Sequence, residues 1–512
     1  MPWVWLTAGL VACALFAGGV TLFSHDSLHR LWGLSAACAY ALAALAVLAG
    51  RSRGTRGVDV ALGVMLCGAI LFPLLWMVAH GNGEPEVGVV ARAATTLIKD
   101  GTPYRSSQAL ATTTNPNQYN PYLPLMAAFG VPQALFGHSL ITDPRVWFGT
   151  VFLAVFAVAL RIAGAKDGLR WALLLTASPI IAFELCVGGT DVPMVAFLCL
   201  GFALLWRTRE TAPVTAGLAL GVASSMKATA WPALVVVFAL LCKRDGQRAA
   251  WRFTAVALSV VLVIVGPFAV LKPGALVKNT ILFPLGLASV KSQAASPLLG
   301  HVLAQTGVLG HTIVVILLIG SGLAVAVSLV IRPPLDVPAA TIRLVIGLSA
   351  MFVLAPSTRF GYFIYPAALV LWLLVAQAGR NAAEQREPGT LASGLVPRPG
   401  SGVQGESGQG LEWGPCVLDR VPLGLLRQML PQQMPPRRRG TRGGSAGCSA
   451  PSPWCLRCWP RRGCCRRSRC CSRAGSRRGL WCSCSSRWPS ACATSPCASC
   501  PPAGPATAGK TG

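Results

Sequence analysis

Long apolar stretches recur through the first 380 residues of this chain, separated by short polar segments. The longest lie at about 3–23, 31–49, 58–79, 213–241, 253–271 and 308–331. A helix needs roughly 20 apolar residues to cross a bilayer, and in lipid such stretches satisfy their peptide groups as helices. Hydrophobic residues make up 53% of the chain and charged residues only 12%. The sequence therefore predicts an all-α fold, a polytopic transmembrane helical bundle.

The basic residues set the expected orientation of this bundle. Within residues 1–380, Lys and Arg lie mostly in short loops between apolar stretches, where the positive-inside rule expects them. Placing these loops in the cytoplasm gives about 12 crossings and puts the loops 80–120, 272–300 and 356–362 outside. The net charge of +27 follows from these loops and from the C-terminal tail, so no nucleic-acid partner is expected.

Two segments are not expected to cross the membrane in the ordinary way. The stretch 213–241 has basic residues at both ends, so it should enter and return as two half-helices with Ser225–Thr229 at the tip. Lys227 at this tip would cost roughly 2.5–3.5 kcal/mol unless it is paired or reaches the interface. Its partner is either a substrate phosphate or an internal counter-ion. The segment 121–137, with three prolines, is predicted to be re-entrant or interfacial.

The candidate catalytic groups lie in the outer loops. Glu84 and Glu86 follow a membrane helix closely, and a carboxylate there can act as a general base or remain a solvated loop acid. Asp191 is either functional or the N-cap of the next helix, whereas Glu184 is interpreted as structural. Arg359, beside aromatic residues, could hold a phosphate or anchor a helix end.

The order of these motifs resembles that of a known enzyme family. The motifs are Leu97–Tyr104 (LIKDGTPY), Tyr119–Pro124 (YNPYLP), Gly188–Asp191 (GGTD), Ser225–Thr229 (SMKAT), and Pro356-Ser357 with Tyr362. In this order they resemble the family 87 glycosyltransferases of the GT-C superfamily, over about residues 60–378. These are the polyprenyl-phosphate-mannose-dependent transferases of actinobacterial cell envelopes.

The resemblance implies a multi-pass hexosyltransferase of the bacterial plasma membrane, with its active site on the extracytoplasmic side. The sugar, expected to be mannose, would pass from a polyprenyl-phosphate donor to a lipid-linked or cell-envelope glycan acceptor, with no cofactor and no metal. The family usually has Asp as its base, and here Glu86 is expected in that role, with Glu84 as its rival. The residues expected to bind the donor phosphate and substrate are Lys227, Asp191, Tyr104, Tyr119, Asn120, Arg359 and Tyr362.

Two other functions compete with this interpretation. A transporter or lipid flippase also uses broken helices and charges within the membrane. Its charges are expected near the midplane and its halves to repeat, whereas here the acids lie in outer loops and no internal repeat is evident. A non-catalytic envelope protein of the same fold is the third alternative. The distribution of the acids favours the enzyme over the transporter.

The sequence divides into a membrane domain (1–380) and a C-terminal tail (381–512). Within the tail, the composition changes from Pro388 onward. The tail is rich in Arg, Cys, Pro and Ser and holds thirteen of the 19 cysteines. The CxxC pairs at 455–458 and 497–500 have zinc-like spacing. The alternative is translation of a GC-rich gene in a shifted frame, which favours these residue types. Under either interpretation the tail is predicted to be disordered.

Overall fold

A computed structural model describes residues 2–50, 56–165, 167–206, 209–290 and 292–384. The predicted tail lies outside the described residues from 385 onward. The N-terminal half contains the helices α1 Pro2–Phe23, α2 Ser27–Ala49, α3 Arg56–Ala79, α4 Pro85–Asp100, α5 Ser107–Ala111, α6 Val131–Phe136, α7 Pro144–Ile162, α8 Gly168–Thr176 and α9 Pro179–Val187. The remaining helices are α10 Val192–Leu204, α11 Ala212–Met226, α12 Trp231–Arg244, α13 Gln247–Leu271, α14 Pro273–Val277, α15 Leu299–Ala304, α16 Val308–Ile331, α17 Val337–Leu354 and α18 Ile364–Glu384.

The all-α membrane fold is confirmed over the described residues, where the only β-pairing is an isolated bridge between Ala295 and Thr358. Eight described helices are long and apolar enough to cross a bilayer, or nine if the bent pair α8–α9 counts as one span. The expected number of about 12 crossings is not confirmed. The difference arises because α10 and α11 are apolar but shorter than a full span, and α12 has only 14 residues.

The apolar sequence at 171–187 does not form one continuous helix in the structure. Helices α8 and α9 meet at a bend of 70°. The break lies at Ser178, whose backbone is extended, and at Pro179, which begins α9. Proline offers no N–H to a helix and disfavours helical backbone in the residue before it. The bend directs the end of α9 toward the loop that follows α3.

The predicted reversal around Lys227 is present. Helix α11 ends at Met226, a single 3₁₀ turn covers Ala228–Ala230, and α12 begins at Trp231. Gly217 of α11 lies close to Phe253 of α13, and Gly221, one turn further along α11, lies close to Ala257, one turn further along α13. Helices α11 and α13 therefore run parallel. Because α12 is joined to α13 by a short turn and packs back along it, α11 and α12 run in opposite directions. Lys227 therefore lies at the turn between two short helices.

The N-terminal helical pair is part of the core rather than an addition to it. Trp32 in α2 is fully buried and donates from Nε1 to the carbonyl of Ala69 in α3 (2.9 Å). The Tyr40 hydroxyl, also buried, donates to the carbonyl of Ala177 at the α8–α9 break (2.7 Å). Both bonds satisfy buried polar atoms across helices. They hold α2 against α3 and against the break between α8 and α9.

Candidate functional site

The start of α4 is fixed against the turn that follows α9. The N–H of Glu84, which precedes the helix, donates to the carbonyl of Val187 (2.8 Å). Gly188 has φ of 135°, and a Cβ on it would lie 2.5 Å from a methyl carbon of Val87. Only glycine accommodates both that backbone and that approach. The contact brings Glu84 and Glu86, one in front of α4 and one in its first turn, beside the end of α9.

A buried ion pair between Arg145 and Asp143 contacts the same turn. Arg145 and Asp143 have side chains only 2% exposed and are joined by Nη2–Oδ2 at 2.9 Å and by Nε–Oδ1 at 2.9 Å. The remaining guanidinium nitrogen, Nη1, donates to the carbonyl of Cys186 (3.1 Å). Each of the three guanidinium nitrogens of Arg145 therefore donates to an acceptor. Because the guanidinium is planar and rigid, it holds these acceptors at fixed angles. Arg145 therefore links the start of α7 to the turn that carries Gly188.

Arg359 joins the two acids of the first outer loop. Its loop is held by a parallel pairing in which the Thr358 N–H donates to Ala294 (3.0 Å) and its carbonyl accepts from Ser296 (2.9 Å). Nη1 of Arg359 lies 3.2 Å from Oε2 of Glu84 and also pairs with Oε1 of Glu86. Thus one guanidinium nitrogen bridges both candidate bases.

His29, which the sequence analysis did not single out, completes this acid cluster. Nε2 of His29 lies 2.9 Å from Oε1 of Glu84, and Nδ1 lies 3.2 Å from the Ser24 hydroxyl. The imidazole also packs edge-on against the ring of Phe183 in α9, with centroids 4.9 Å apart. The only sequence signal was a histidine at the outer end of an apolar helix, and nothing local connects position 29 to position 84.

A second cluster forms around Lys227. Its Nζ lies 2.5 Å from Oδ1 of Asp191, and the Tyr365 hydroxyl donates to the same oxygen at 2.5 Å. The side chains of Lys227 and Asp191 are 12% and 6% exposed. Asp191 occupies the N-cap position of the following helix, but its side chain makes no capping hydrogen bond there and pairs with Lys227 instead. The internal counter-ion considered for Lys227 is present, and this counter-ion is Asp191.

Aromatic rings enclose the Lys227 ammonium. Nζ lies 4.8 Å from the ring centroid of Tyr362 and 5.6 Å from that of Tyr122, distances at which a cation is attracted to a ring face. The carbonyl of Met226 accepts from the N–H of Leu123 (2.9 Å), which joins the proline-rich turn to the tip of α11. Of the predicted substrate-binding residues, Lys227, Asp191, Arg359 and Tyr362 therefore come together.

Glu184 connects the two clusters, although its sequence context suggested a structural residue. Its carboxylate contacts the backbone of Gly361, and a Cβ on Gly189 would lie 2.7 Å from its Oε2. The close contacts leave no room for side chains at the two glycines. Glu184 lies near enough to Glu84, Glu86, Asp191 and Arg359 to interact electrostatically with each. The site thus contains four carboxyls and two permanent cations.

The other three predicted binding residues form the scaffold of the proline-rich turn. Tyr104 donates its hydroxyl to the carbonyl of Tyr122 (2.9 Å), and the Asn120 amide oxygen accepts from the Tyr122 N–H (3.1 Å). Tyr119 stacks on Phe283 with centroids 4.6 Å apart. All three are buried, and the contacts described here join them to the turn and to Phe283. The residue of this motif that reaches Lys227 is Tyr122, which the sequence analysis had not selected.

The electrostatics distinguish Glu86 from Glu84. Burial, with the nearby Glu84 carboxyl, raises the pKa of Glu86 above its ordinary value despite the Arg359 cation. Oε2 of Glu86 is buried and receives no hydrogen bond from the described chain, whereas Glu84 contacts His29 and Arg359. Burial tends to lower the pKa of Arg359, but Glu86 and Glu84 outweigh it and raise that pKa. Glu86 therefore has the freer proton-accepting oxygen.

An open cleft of about 260 Å³ adjoins the acid cluster at Glu84. Its polar lining comprises Asn82, Glu84, Arg92, Asn117, Gln133 and His138, together with the paired Asp143 and Arg145. Amides, an imidazole and a guanidinium in one concave surface suit a ligand with many hydroxyl groups. Glu84 lines this cleft and Glu86 does not.

One family model matches the chain. Residues 120–356 match the model of glycosyltransferase family 87, while no curated protein and no solved structure shows a significant match. The matched segment includes Tyr122, Asp191 and Lys227; the two outer-loop acids precede it and Arg359 follows it. The fold adds these flanking residues to the same site. The chain therefore contains a segment that matches glycosyltransferase family 87 within a multi-pass helical membrane bundle, as the order of its motifs predicted.

Proposed function

We propose that this enzyme transfers mannose from a polyprenyl-phosphate donor to a lipid-linked or cell-envelope glycan, on the outer face of the bacterial plasma membrane. The proposal is carried by two cations and a free base in one site: Lys227 pairs with Asp191, Arg359 pairs with Oε1 of Glu86, and the buried Oε2 of Glu86 receives no hydrogen bond from the described chain. An anionic leaving group needs the cations, and a hydroxyl nucleophile needs the base.

Lys227 is assigned to the donor phosphate. An ammonium has three N–H donors, and the Lys227 contact with Asp191 uses one of them. The remaining donors are free to bind phosphate oxygens without loss of the Asp191 pair. Because the ammonium carries a full charge in a largely buried site, it stabilises the negative charge that grows on the leaving phosphate.

Glu86 is assigned as the general base. The acceptor hydroxyl would donate to the free Oε2, while Arg359 holds Oε1 and orients the carboxylate. As the hydroxyl oxygen bonds to the anomeric carbon, its proton passes to Glu86 and the bond to the phosphate oxygen breaks. The electron pair of that bond remains on the phosphate, beside Lys227. The polar cleft at Glu84 is assigned to the hydrophilic part of the acceptor.

The test is sugar transfer from radiolabelled polyprenyl-phosphate-mannose in membranes that contain the parent chain or its Glu86→Gln variant. Asp100→Asn is the matched control, because Asp100 is an exposed acid at the far end of the same helix. We expect transfer by the parent and the control and near-complete loss in Glu86→Gln, at equal amounts of inserted protein.

Other outcomes would change the assignment. Equal transfer by Glu86→Gln and the parent would exclude Glu86 as the base and direct attention to Glu84. No transfer by the parent from mannose, glucose, galactose or arabinose donors would contradict the proposed reaction and support a non-catalytic protein of the same fold.

A further inference from the structure

Each catalytic cycle would leave a proton on Glu86, and this carboxyl is poorly placed to release it directly to water. Its Oε2 is buried, and its Oε1 is paired with Arg359. A base that is not deprotonated again cannot act in the next cycle. An exit route for the proton is therefore a chemical requirement of the proposed function.

A continuous chain of polar groups leads from Glu86 to the surface. Oε2 of Glu84 and Oε1 of Glu86 contact the same nitrogen of Arg359, so the two carboxyls lie side by side and a proton can pass between them. Oε1 of Glu84 lies 2.9 Å from Nε2 of His29, and Nδ1 of His29 lies 3.2 Å from the Ser24 hydroxyl. The His29 side chain is 26% exposed, and the loop at 25–26 beyond Ser24 is exposed.

We propose that His29 carries the catalytic proton from the acid cluster to water. The inference rests on the proposed function. After sugar transfer, the proton on Glu86 moves to Glu84, and Glu84 passes it to Nε2 of His29. The imidazolium then loses the proton on Nδ1 to water at the Ser24 side. His29 begins the cycle with its hydrogen on Nδ1 and ends it with its hydrogen on Nε2, while Glu86 is again ionised and one proton has been released. Proton exchange with water then returns His29 to the Nδ1–H tautomer.

The surroundings of His29 suit a group that gains and loses a proton. Glu84 approaches it from the start of α4, and Glu184 lies next to Phe183, whose ring packs on the imidazole. Asp26 and Arg30 flank it on its own segment, and α1, which packs along α2, carries no charged residue. Imidazole is the side chain whose ordinary pKa lies nearest neutrality. One ring nitrogen of His29 contacts the Glu84 carboxylate, and the other lies on the side of the exposed loop.

Replacing His29 with Gln tests this role directly. Gln can still donate a hydrogen bond to Glu84, but it cannot relay a proton. His25→Gln is the matched control, since His25 is an exposed histidine on the same loop. We expect kcat of His29→Gln to fall on the order of 10²-fold, the lower end for a lost proton-transfer group, with KM for the donor unchanged. Added imidazole should restore turnover in His29→Gln but leave the parent and His25→Gln unaffected.

The outcomes separate the proton route from the reaction itself. Parent-like turnover of His29→Gln at every pH, independent of imidazole, would overturn the role of His29 while leaving the glycosyltransferase intact. Loss of turnover without rescue by imidazole would also overturn it, because orientation of Glu84 alone would then explain the effect. Absence of transfer by the parent would reject the proposed function and this role together. Loss of the inserted protein in His29→Gln is checked by its amount in the membrane, and His29→Asn then repeats the rescue measurement.

Discussion

The ion pair between Lys227 and Asp191 permits a quantitative prediction about stability. Removing one partner of a buried pair leaves an uncompensated charge and typically costs about 3–5 kcal/mol. The side chains of Lys227 and Asp191 are only 12% and 6% exposed, so solvent screens them little. Lys227→Met, which keeps most of the side-chain volume, should therefore destabilise the protein by about this amount. Such a loss is a large part of the 5–15 kcal/mol that is typical of a folded domain.

A double variant separates the effect of an unpaired charge on stability from the effect of altered packing. In Lys227→Met/Asp191→Asn no charge is left unpaired, and replacing a buried pair entirely is often neutral or stabilising. We expect thermal unfolding in detergent, followed by tryptophan fluorescence, to occur at a lower temperature in Lys227→Met and to recover in the double variant. Sugar transfer should not recover, because the cation assigned to the donor phosphate is still absent.

An exposed ion pair provides the control for this experiment. Arg170 and Asp59 are joined at 2.6 Å, but their side chains are 44% and 57% exposed. Arg170→Met should cost no more than about 1 kcal/mol. The reasoning is refuted if Lys227→Met unfolds at the same temperature as Arg170→Met, or if the double variant is no more stable than Lys227→Met.

Three further predictions concern the acid cluster and the turn beside it. Because the pKa of Glu86 is raised above 4.5, the folded chain binds this proton more tightly than the unfolded chain. As pH rises from 4.5 through the raised pKa of Glu86, sugar transfer by the parent should therefore increase while the free energy of unfolding falls. In Glu86→Gln this dependence of the unfolding free energy on pH should disappear, which unfolding measurements at several pH values would show. Arg359→Gln removes the cation that opposes this shift, so the acid limb of the transfer profile should move to higher pH; an unmoved limb would contradict the assigned contact. Tyr104→Phe leaves the buried Tyr122 carbonyl without its donor and should lower stability by about 1–3 kcal/mol, measurable as a lower unfolding temperature and disproved by an unchanged one.

The position of the acid cluster has a consequence for the family assignment. The matched segment, residues 120–356, contains Lys227 and Asp191 but neither Glu86 nor Arg359. A fragment limited to this segment would keep the cluster assigned to donor binding and lose the assigned base. The proposed site therefore extends beyond the matched segment, because α2, α4 and α18 each supply a side chain that contacts it.

The sequence alone determined the features that depend on local composition. Hydropathy predicted the membrane helices, since lipid requires each long apolar stretch to satisfy its own backbone. Basic residues at both ends of 213–241 predicted the reversal at Lys227, and the structure breaks the helix at that residue. The ordered motifs predicted family 87 because each can be recognised without knowledge of its neighbours in space.

Only the tertiary structure decided which polar groups meet. The capping role considered for Asp191 was plausible from spacing, but its carboxylate turns instead to Lys227 and Tyr365, which are 36 and 174 residues away in sequence. His29 reaches Glu84 across 55 residues, and no local pattern encodes that contact. The bend between α8 and α9, not visible in hydropathy, brings the end of α9 to Glu84. Pairings of this kind depend on how helices pack, because the energy of a buried charge is set by the partners that surround it.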